Sequence, residues 1–408
     1  MLPIFNYYSI LGIGLLPLLK LLLLLLIILS IIFNGDFSIN GFKYNVEICL
    51  FSYFAWLVII TIIYSLVLGD QSISSKNLLM CFISILILLF LFSYSIDYAS
   101  AYRIYSFFIW IIFAIQVFQW LLFFTGHRMS FNLLPSYSDS YRALQYYYFG
   151  MNEAATSLFS EPAHISQYYI PYIVICLFEE KYKINHRIQK AIIISCGVLS
   201  TASGNGVILL AIAWGLFFLF GNSKRSLLER ILILLVGIIT FYTVFLFMNS
   251  QPAFQELFSR LFVNTSDNSY SQTKAAYRIY RGWDYFFKLP WHAKLFGVGY
   301  GNMSSFTNAY DISSVFDTNA AFEYFSGNIQ IMCYTGIIGT ILYLMYVFQI
   351  LKSKRRFLTV LLVVEASLWI SSSMLFNSGQ LLFVVIINAA ISLNDDYPKP
   401  KTAYKYLR

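Results

Sequence analysis

MLPIFNYYSILGIGLLPLLKLLLLLLIILSIIF (residues 1–33) is almost unbroken apolar sequence, interrupted by Pro17 and Lys20. A bilayer's hydrocarbon layer takes about 20 helical residues to cross. The run therefore reads as one long tilted helix or as two short passes. It has no basic leading region and no small-residue cleavage site, so it is expected to stay in place as a membrane anchor. Runs of the same kind follow near 48–68, 77–94 and 104–125. Of the 408 residues, 59% are hydrophobic and 11% charged, and the mean hydropathy is +0.69. That is far more apolar surface than a soluble domain carries. The expected fold is an all-α polytopic integral membrane protein, one membrane domain over residues 1–408 with about 10–11 transmembrane helices.

Charge placement sets the expected topology. Basic segments lie at 179–190 (EEKYKINHRIQK), 221–230 (GNSKRSLLER) and Lys352-Ser353-Lys354-Arg355-Arg356. Basic loops mark the cytoplasmic side. With the first two there, the 30 residues between them enter the membrane and return, turning at Ser200–Gly206, or form one long kinked helix. A paired break of this kind is tolerated where protein or a watery cavity covers the freed backbone. Spans near 165–179, 231–249, 328–350, 357–376 and 379–393 complete the order. Large loops at 126–164 and 251–325 then fall on the outer face, and the tail 394–408 in the cytoplasm. The formal net charge of +8 sits mostly in short loops between spans, which argues against a nucleic-acid partner and for membrane lipids. All five cysteines (Cys49, Cys81, Cys176, Cys196, Cys333) lie in or beside apolar segments, away from metal spacing, so neither zinc nor a disulfide framework is expected. A Walker lysine motif, a cytoplasmic D-x-D pair and a His/Cys cluster are all missing, so no cofactor and no metal is expected.

The loop 251–325 contains NSYSQTKAAYRIYRGWDYFFKLPWHAKLFGVGYGN (268–302). On a helix at about 100° per residue, Lys274, Arg278, Arg281 and Lys288 share one face, with Tyr280, Trp283 and Phe287 opposite. Such a helix lies at a membrane surface with aromatics down and charges toward water. Two arginines one turn apart can also grip a phosphate or pyrophosphate. Gly297, Gly299, Gly301 and Asn302 then form a tight turn that can offer N–H groups to an anion; no βαβ unit surrounds it, so a nucleotide is not implied. In the other loop, Glu161 and His164 stand three apart at the mouth of a span that Pro162 starts. Glu161 is either an ionisable residue working at the membrane boundary or a cap of the helix N-terminus.

Taken in order, SLFSEPAHISQYY (157–169), LSTASGNGVILLAIAW (199–214), RIYRGWDYFFKLPWHAKLFGVGYGN (278–302) and SGNIQIMCYTGIIGTILYL (326–344) resemble the O-antigen polymerase family, the Wzy-type members of the O-antigen polymerase/ligase superfamily. The likeness covers residues 140–394 in layout. One departure is visible: the family's first motif often has an arginine shortly before Phe-x-Glu-Pro, whereas this chain has Asn152-Glu153-Ala154-Ala155, and its nearest upstream arginine is Arg142.

The resemblance implies a glycosyltransferase of the bacterial inner membrane that polymerises undecaprenyl-pyrophosphate-linked oligosaccharides of lipopolysaccharide or capsule. It works without metal on the outer face, beside a chain-length regulator and a flippase. On this reading Arg278 and Arg281, helped by Lys274 and Arg142, hold the pyrophosphate, and Glu161, or else His164, is the base. The O-antigen ligase shares the layout, but its histidine-bearing stretch has no counterpart in Phe325–Gln330. A flippase would carry cations inside its spans, where Lys20 is the exception here.

Overall fold

The computed structural model describes residues 9–10, 13–34, 45–68, 82–83, 85–87, 97–125, 155–159, 161–201, 203–221, 229, 235, 275–314, 326–371 and 378–391. Two-residue strands β1 (Ser9–Ile10) and β2 (Ile13–Gly14) pair ahead of helix α1 (Leu15–Asn34). All other described elements are helical: α2 (Asn45–Leu68), α3 (Tyr98–Phe124), α4 (Pro162–Phe178), α5 (Arg187–Ser200), α6 (Gly204–Phe220), α7 (Ala275–Lys288), α8 (Trp291–Phe296), α9 (Met303–Ala309), α10 (Gly327–Leu351), α11 (Arg356–Ser371) and α12 (Ser378–Ile391). The tail 394–408, the loop 126–154 and most of the expected spans at 77–94 and 231–249 lie outside the described residues.

Val46–Leu68, Tyr98–Phe124 and Gly327–Leu351 are long and apolar enough to cross a membrane. Each is apolar on all sides, as a helix set between protein and lipid must be. On α2, Leu50, Tyr53, Phe54 and Leu57 are buried, while Ile59, Ile62, Ile63 and Leu66 face outward. Asp97 caps α3, accepting hydrogen bonds from the Ser100 amide (3.0 Å) and hydroxyl (2.7 Å). These bonds, the hydroxyl's above all, hold its carboxyl below the ordinary range.

One end of the bundle is tied by a buried ion pair. Arg355 Nη2 donates to both Glu179 carboxylate oxygens, at 2.8 and 2.9 Å, and Arg355 Nη1 donates to the Ala390 carbonyl. The Lys181 and Tyr182 amides donate to Glu179 Oε1 at 2.8 and 3.2 Å. Arg187 Nη1 donates to the Glu179 carbonyl at 3.2 Å, and Arg356 Nη1 to the Phe220 carbonyl at 3.2 Å. The end of α4, the starts of α5 and α11 and the ends of α6 and α12 therefore meet at one place. Since α5 leaves this end and α6 returns to it, residues 187–220 form two separate helices that go in and come back, as the paired-break reading requires. Ser203 caps α6, accepting from the Gly206 amide at 3.3 Å. The last hairpin proves central: α11 packs against α4, α6, α7, α10 and α12.

Removing one member of a buried ion pair strands the other charge, at a cost of about 3–5 kcal/mol. Glu179→Ala and Arg355→Ala should each lower the melting temperature of the detergent-solubilised chain. The double change Glu179→Gln with Arg355→Met should recover most of that loss. A thermal-unfolding double-mutant comparison checks this, and a neutral Arg355→Ala contradicts it.

Candidate functional site

Helix α10 is broken. Gly336 sits at φ 66°, ψ −170°, between two helical halves. An interrupted helix frees carbonyl oxygens, and inside an apolar bundle each must find a donor. Val298 and Gly299 supply their amides to the Cys333 and Tyr334 carbonyls, at 3.0 and 2.9 Å. Trp56 Nε1 on α2 donates to the Thr335 carbonyl at 2.9 Å. The approach leaves no room for a side chain at the glycines where turn and helix meet. A Cβ at Gly297 would lie 2.3 Å from the Tyr334 oxygen, and one at Gly336 2.4 Å from the Leu295 oxygen.

The rest of the turn is fastened to α2. The Tyr300 amide donates to Thr61 Oγ1 at 2.9 Å. Asn302 Nδ2 donates to the Thr61 and Val298 carbonyls, both at 3.2 Å, and Asn302 Oδ1 accepts from Ser65 at 3.2 Å. The Gly297 amide donates to the Ala293 carbonyl at 2.9 Å. The amides of residues 297–300 are thus directed into the protein. The broken helix takes up the Val298 and Gly299 amides, α8 that of Gly297 and α2 that of Tyr300, so these four do not form the expected anion nest.

That turn fixes the arginine-bearing helix preceding it. Gly282 lies against Ile329 near the start of α10, where an added Cβ would be 2.9 Å from Cγ2. Arg281 is 2% exposed, its guanidinium carbon 6.0 Å from the Tyr285 ring centre. Tyr280 and Phe287 are 62% and 67% exposed. The expected cationic face is therefore split. Arg281 turns into the protein, while Lys288 stays at the edge, donating to Asp284 Oδ2 at 3.0 Å and to the Ser313 carbonyl at 2.8 Å. Burial of the neighbouring Gly282, Tyr285 and Phe286 turns this face inward and leaves Tyr280 and Phe287 outside, with Trp283 partly buried against the core. Arg142, Lys274 and the Arg278 side chain lie outside the described residues.

A second polar region forms where α4 begins. Gln119 on α3 accepts from the Ser157 amide (2.7 Å) and donates to the Ser157 carbonyl (3.3 Å), and the Ser157 hydroxyl donates to the Ile112 carbonyl at 2.8 Å. These bonds hold Ser157 at φ 49° and pin the approach to α4. Glu161 then occupies the N-cap position, half-buried, but its side chain makes no cap hydrogen bond. The carboxyl is not spent on the helix end. His164, also half-buried, donates its amide to the Glu161 carbonyl at 3.1 Å. One turn further, the Ser166 and Thr201 hydroxyls are 3.1 Å apart, joining α4 to the tip of the α5–α6 hairpin. Gln116 Nε2 donates to the Gly197 carbonyl (2.8 Å) and Ser200 Oγ (2.9 Å), and its oxygen accepts from Tyr169 at 2.9 Å. Sequence reading missed Gln116 and Gln119. Two amides three apart in an apolar span were the available signal.

Glu161 and His164 begin α4, whose far end is Glu179. Arg281 lies beside the start of α10, whose far end leads to Arg355. Both groups therefore sit at the end of the bundle opposite the ion pair, and α11 packs against both α4 and α7. A model of the family described as O-antigen ligase matches residues 191–344. The match supports the O-antigen polymerase and ligase superfamily. It runs from within α5 to within the broken α10, taking in α6, Arg281 and the glycine turn, and begins after Glu161 and His164. No curated protein and no solved structure matches the chain. Ligase or polymerase activity on lipid-linked polysaccharide is what this superfamily implies.

Leaving a buried carbonyl without its donor costs about 1–3 kcal/mol. Trp56→Phe should destabilise the solubilised protein by about that amount, read from its melting temperature. Gly336→Ala should cost more, because it adds a contact with the Leu295 carbonyl to an unfavourable positive φ.

Proposed function

We propose that this protein is an oligosaccharide repeat-unit polymerase of the bacterial inner membrane, acting on undecaprenyl-pyrophosphate-linked glycans at the outer face. The observation that carries this reading is the buried Arg281, held on a clamped helix at the same end as an uncapped Glu161 carboxyl. A guanidinium turned into low-dielectric surroundings binds a diphosphate more strongly than one in water. In the reaction, a hydroxyl of the incoming unit attacks the anomeric carbon of the growing chain. The new C–O bond forms as the bond to the pyrophosphate oxygen breaks. Undecaprenyl pyrophosphate departs with the electron pair, and the hydroxyl proton passes to Glu161, or to His164 in its place. Arg281, with Arg278, balances the charge that grows on the leaving group; Arg142 and Lys274 are further candidates for the same phosphates.

The ligase is the second reading, favoured by the description of the matching family. Against it stands the segment Phe325–Gln330, which has no histidine. A deletion strain separates the two. Loss of a polymerase leaves single repeat units on the surface, whereas loss of a ligase leaves none. In the complemented strain, Arg281→Ala and Glu161→Gln should each reduce polymer by about a hundredfold or more, with single units retained and membrane levels unchanged. Full-length polymer from either variant removes that residue's role.

A further inference from the structure

Helix α11, which touches five other helices, carries a carboxyl at its centre. Glu365 is 4% exposed and lies nine residues beyond Arg356, about 14 Å along the helix axis. Aromatic side chains surround this position. Tyr343 stacks on Trp369 with ring centres 5.2 Å apart, meets Tyr53 edge-on at 5.4 Å, and lies 5.9 Å from Tyr346. The Tyr346 hydroxyl and Trp369 Nε1 are buried without hydrogen-bond partners among the described residues, and the ion pairs found there do not involve Glu365.

Among the described residues, the facing groups leave the carboxyl without a counter-charge. From α10 it meets Tyr343 and Tyr346, both close enough to interact electrostatically. Helices α6 and α12 carry no ionisable side chain, and α4 offers only His164 at its start, its tyrosines and Cys176. On α7, the described Arg281, Asp284 and Lys288 are engaged at the far end of α10. A carboxylate in such surroundings is far costlier than the neutral acid.

We propose that Glu365 is a proton-binding site within the bundle, and that its bound proton keeps α11 packed on α10 below the break at Gly336. Loss of the proton places a bare charge against the buried Tyr343 and Tyr346 of α10, so the packing of α11 on α10 follows proton activity. This site is separate from Glu161 and Arg281 and does not depend on the reaction assigned to them.

A hydrophobic carbodiimide tests it on the full-length protein in membranes. The reagent takes up the acid's proton on nitrogen while the carboxyl oxygen adds to its central carbon, and an acyl shift leaves a stable adduct. Surface carboxylates, ionised at neutral pH, do not react. Mass spectrometry should find the adduct on Glu365 at neutral pH, and labelling should fall as pH is raised. In Glu365→Gln that adduct is absent. The variant should keep the melting temperature of the wild type at neutral pH and lose its decline at alkaline pH. An unlabelled Glu365 in folded protein overturns the proposal, as do identical pH–melting profiles for the two proteins. Protection by sodium at constant pH also overturns it, since the site then takes a metal cation.

Discussion

Every carbonyl released inside an apolar bundle needs a donor, and that constraint shapes the part of this protein where its polar groups gather. A continuous helix satisfies its own backbone; α10 does not, because Gly336 interrupts it. The break is tolerated because the 297–302 turn and Trp56 supply N–H groups to the oxygens it frees. Those partners in turn need glycines, since no Cβ fits between turn and helix. The turn follows α7 and α8 directly, so satisfying the backbone of α10 also fixes where Arg281 stands. Stability and placement are here one set of hydrogen bonds.

The α5–α6 hairpin obeys the same rule by different means. Its tip exposes the Gly197 carbonyl and the hydroxyls of Ser200 and Thr201, and the answering groups are side chains of Gln116 and Ser166, while Ser203 is met by the Gly206 amide. Gln119, one turn along α3, fixes Ser157 and with it the entry to Glu161. Both breaks therefore deliver a charged residue of interest to the same end of the bundle. At the other end the charges serve architecture: Glu179 and Arg355 satisfy each other and the surrounding backbone, joining helices that a membrane alone would leave free to slide.

Much of the helical layout was legible in the sequence because a membrane imposes a length and an apolar composition that show in any single segment. Helices stand within a few residues of the stretches expected near 48–68, 104–125, 165–179 and 328–350, and Ser203-Gly204 punctuates the hairpin as a turn should. What could not be read is pairing over distance. Trp56 and Thr335 are 279 positions apart, and Glu179 and Arg355 are 176 apart. Nothing local in Trp56 marks it as a backbone donor. The direction of Arg281 was misjudged for a related reason: helical periodicity tells which residues share a face, but the neighbours decide which face is inside. Glu365 escaped notice because a lone carboxyl in an apolar run resembles an ordinary interruption until α11 is seen at the middle of the bundle.

A rigid clamp around the arginine helix matters for chemistry on a lipid-linked donor. Such a donor arrives by lateral diffusion with its diphosphate held near the bilayer surface, so the protein must supply orientation rather than attraction alone. A guanidinium on a mobile surface helix would meet the phosphates in many poses and be screened by salt. On the proposed function, Arg281, held inside by Gly282 against Ile329 and by the turn against α2, would lose little freedom on binding. Its interaction can then strengthen as charge develops on the departing oxygen, which is where binding energy lowers a barrier. On the same proposal, Tyr280 and Phe287, left exposed by this rotation, suit the lipid and would keep the helix at the depth of the diphosphate.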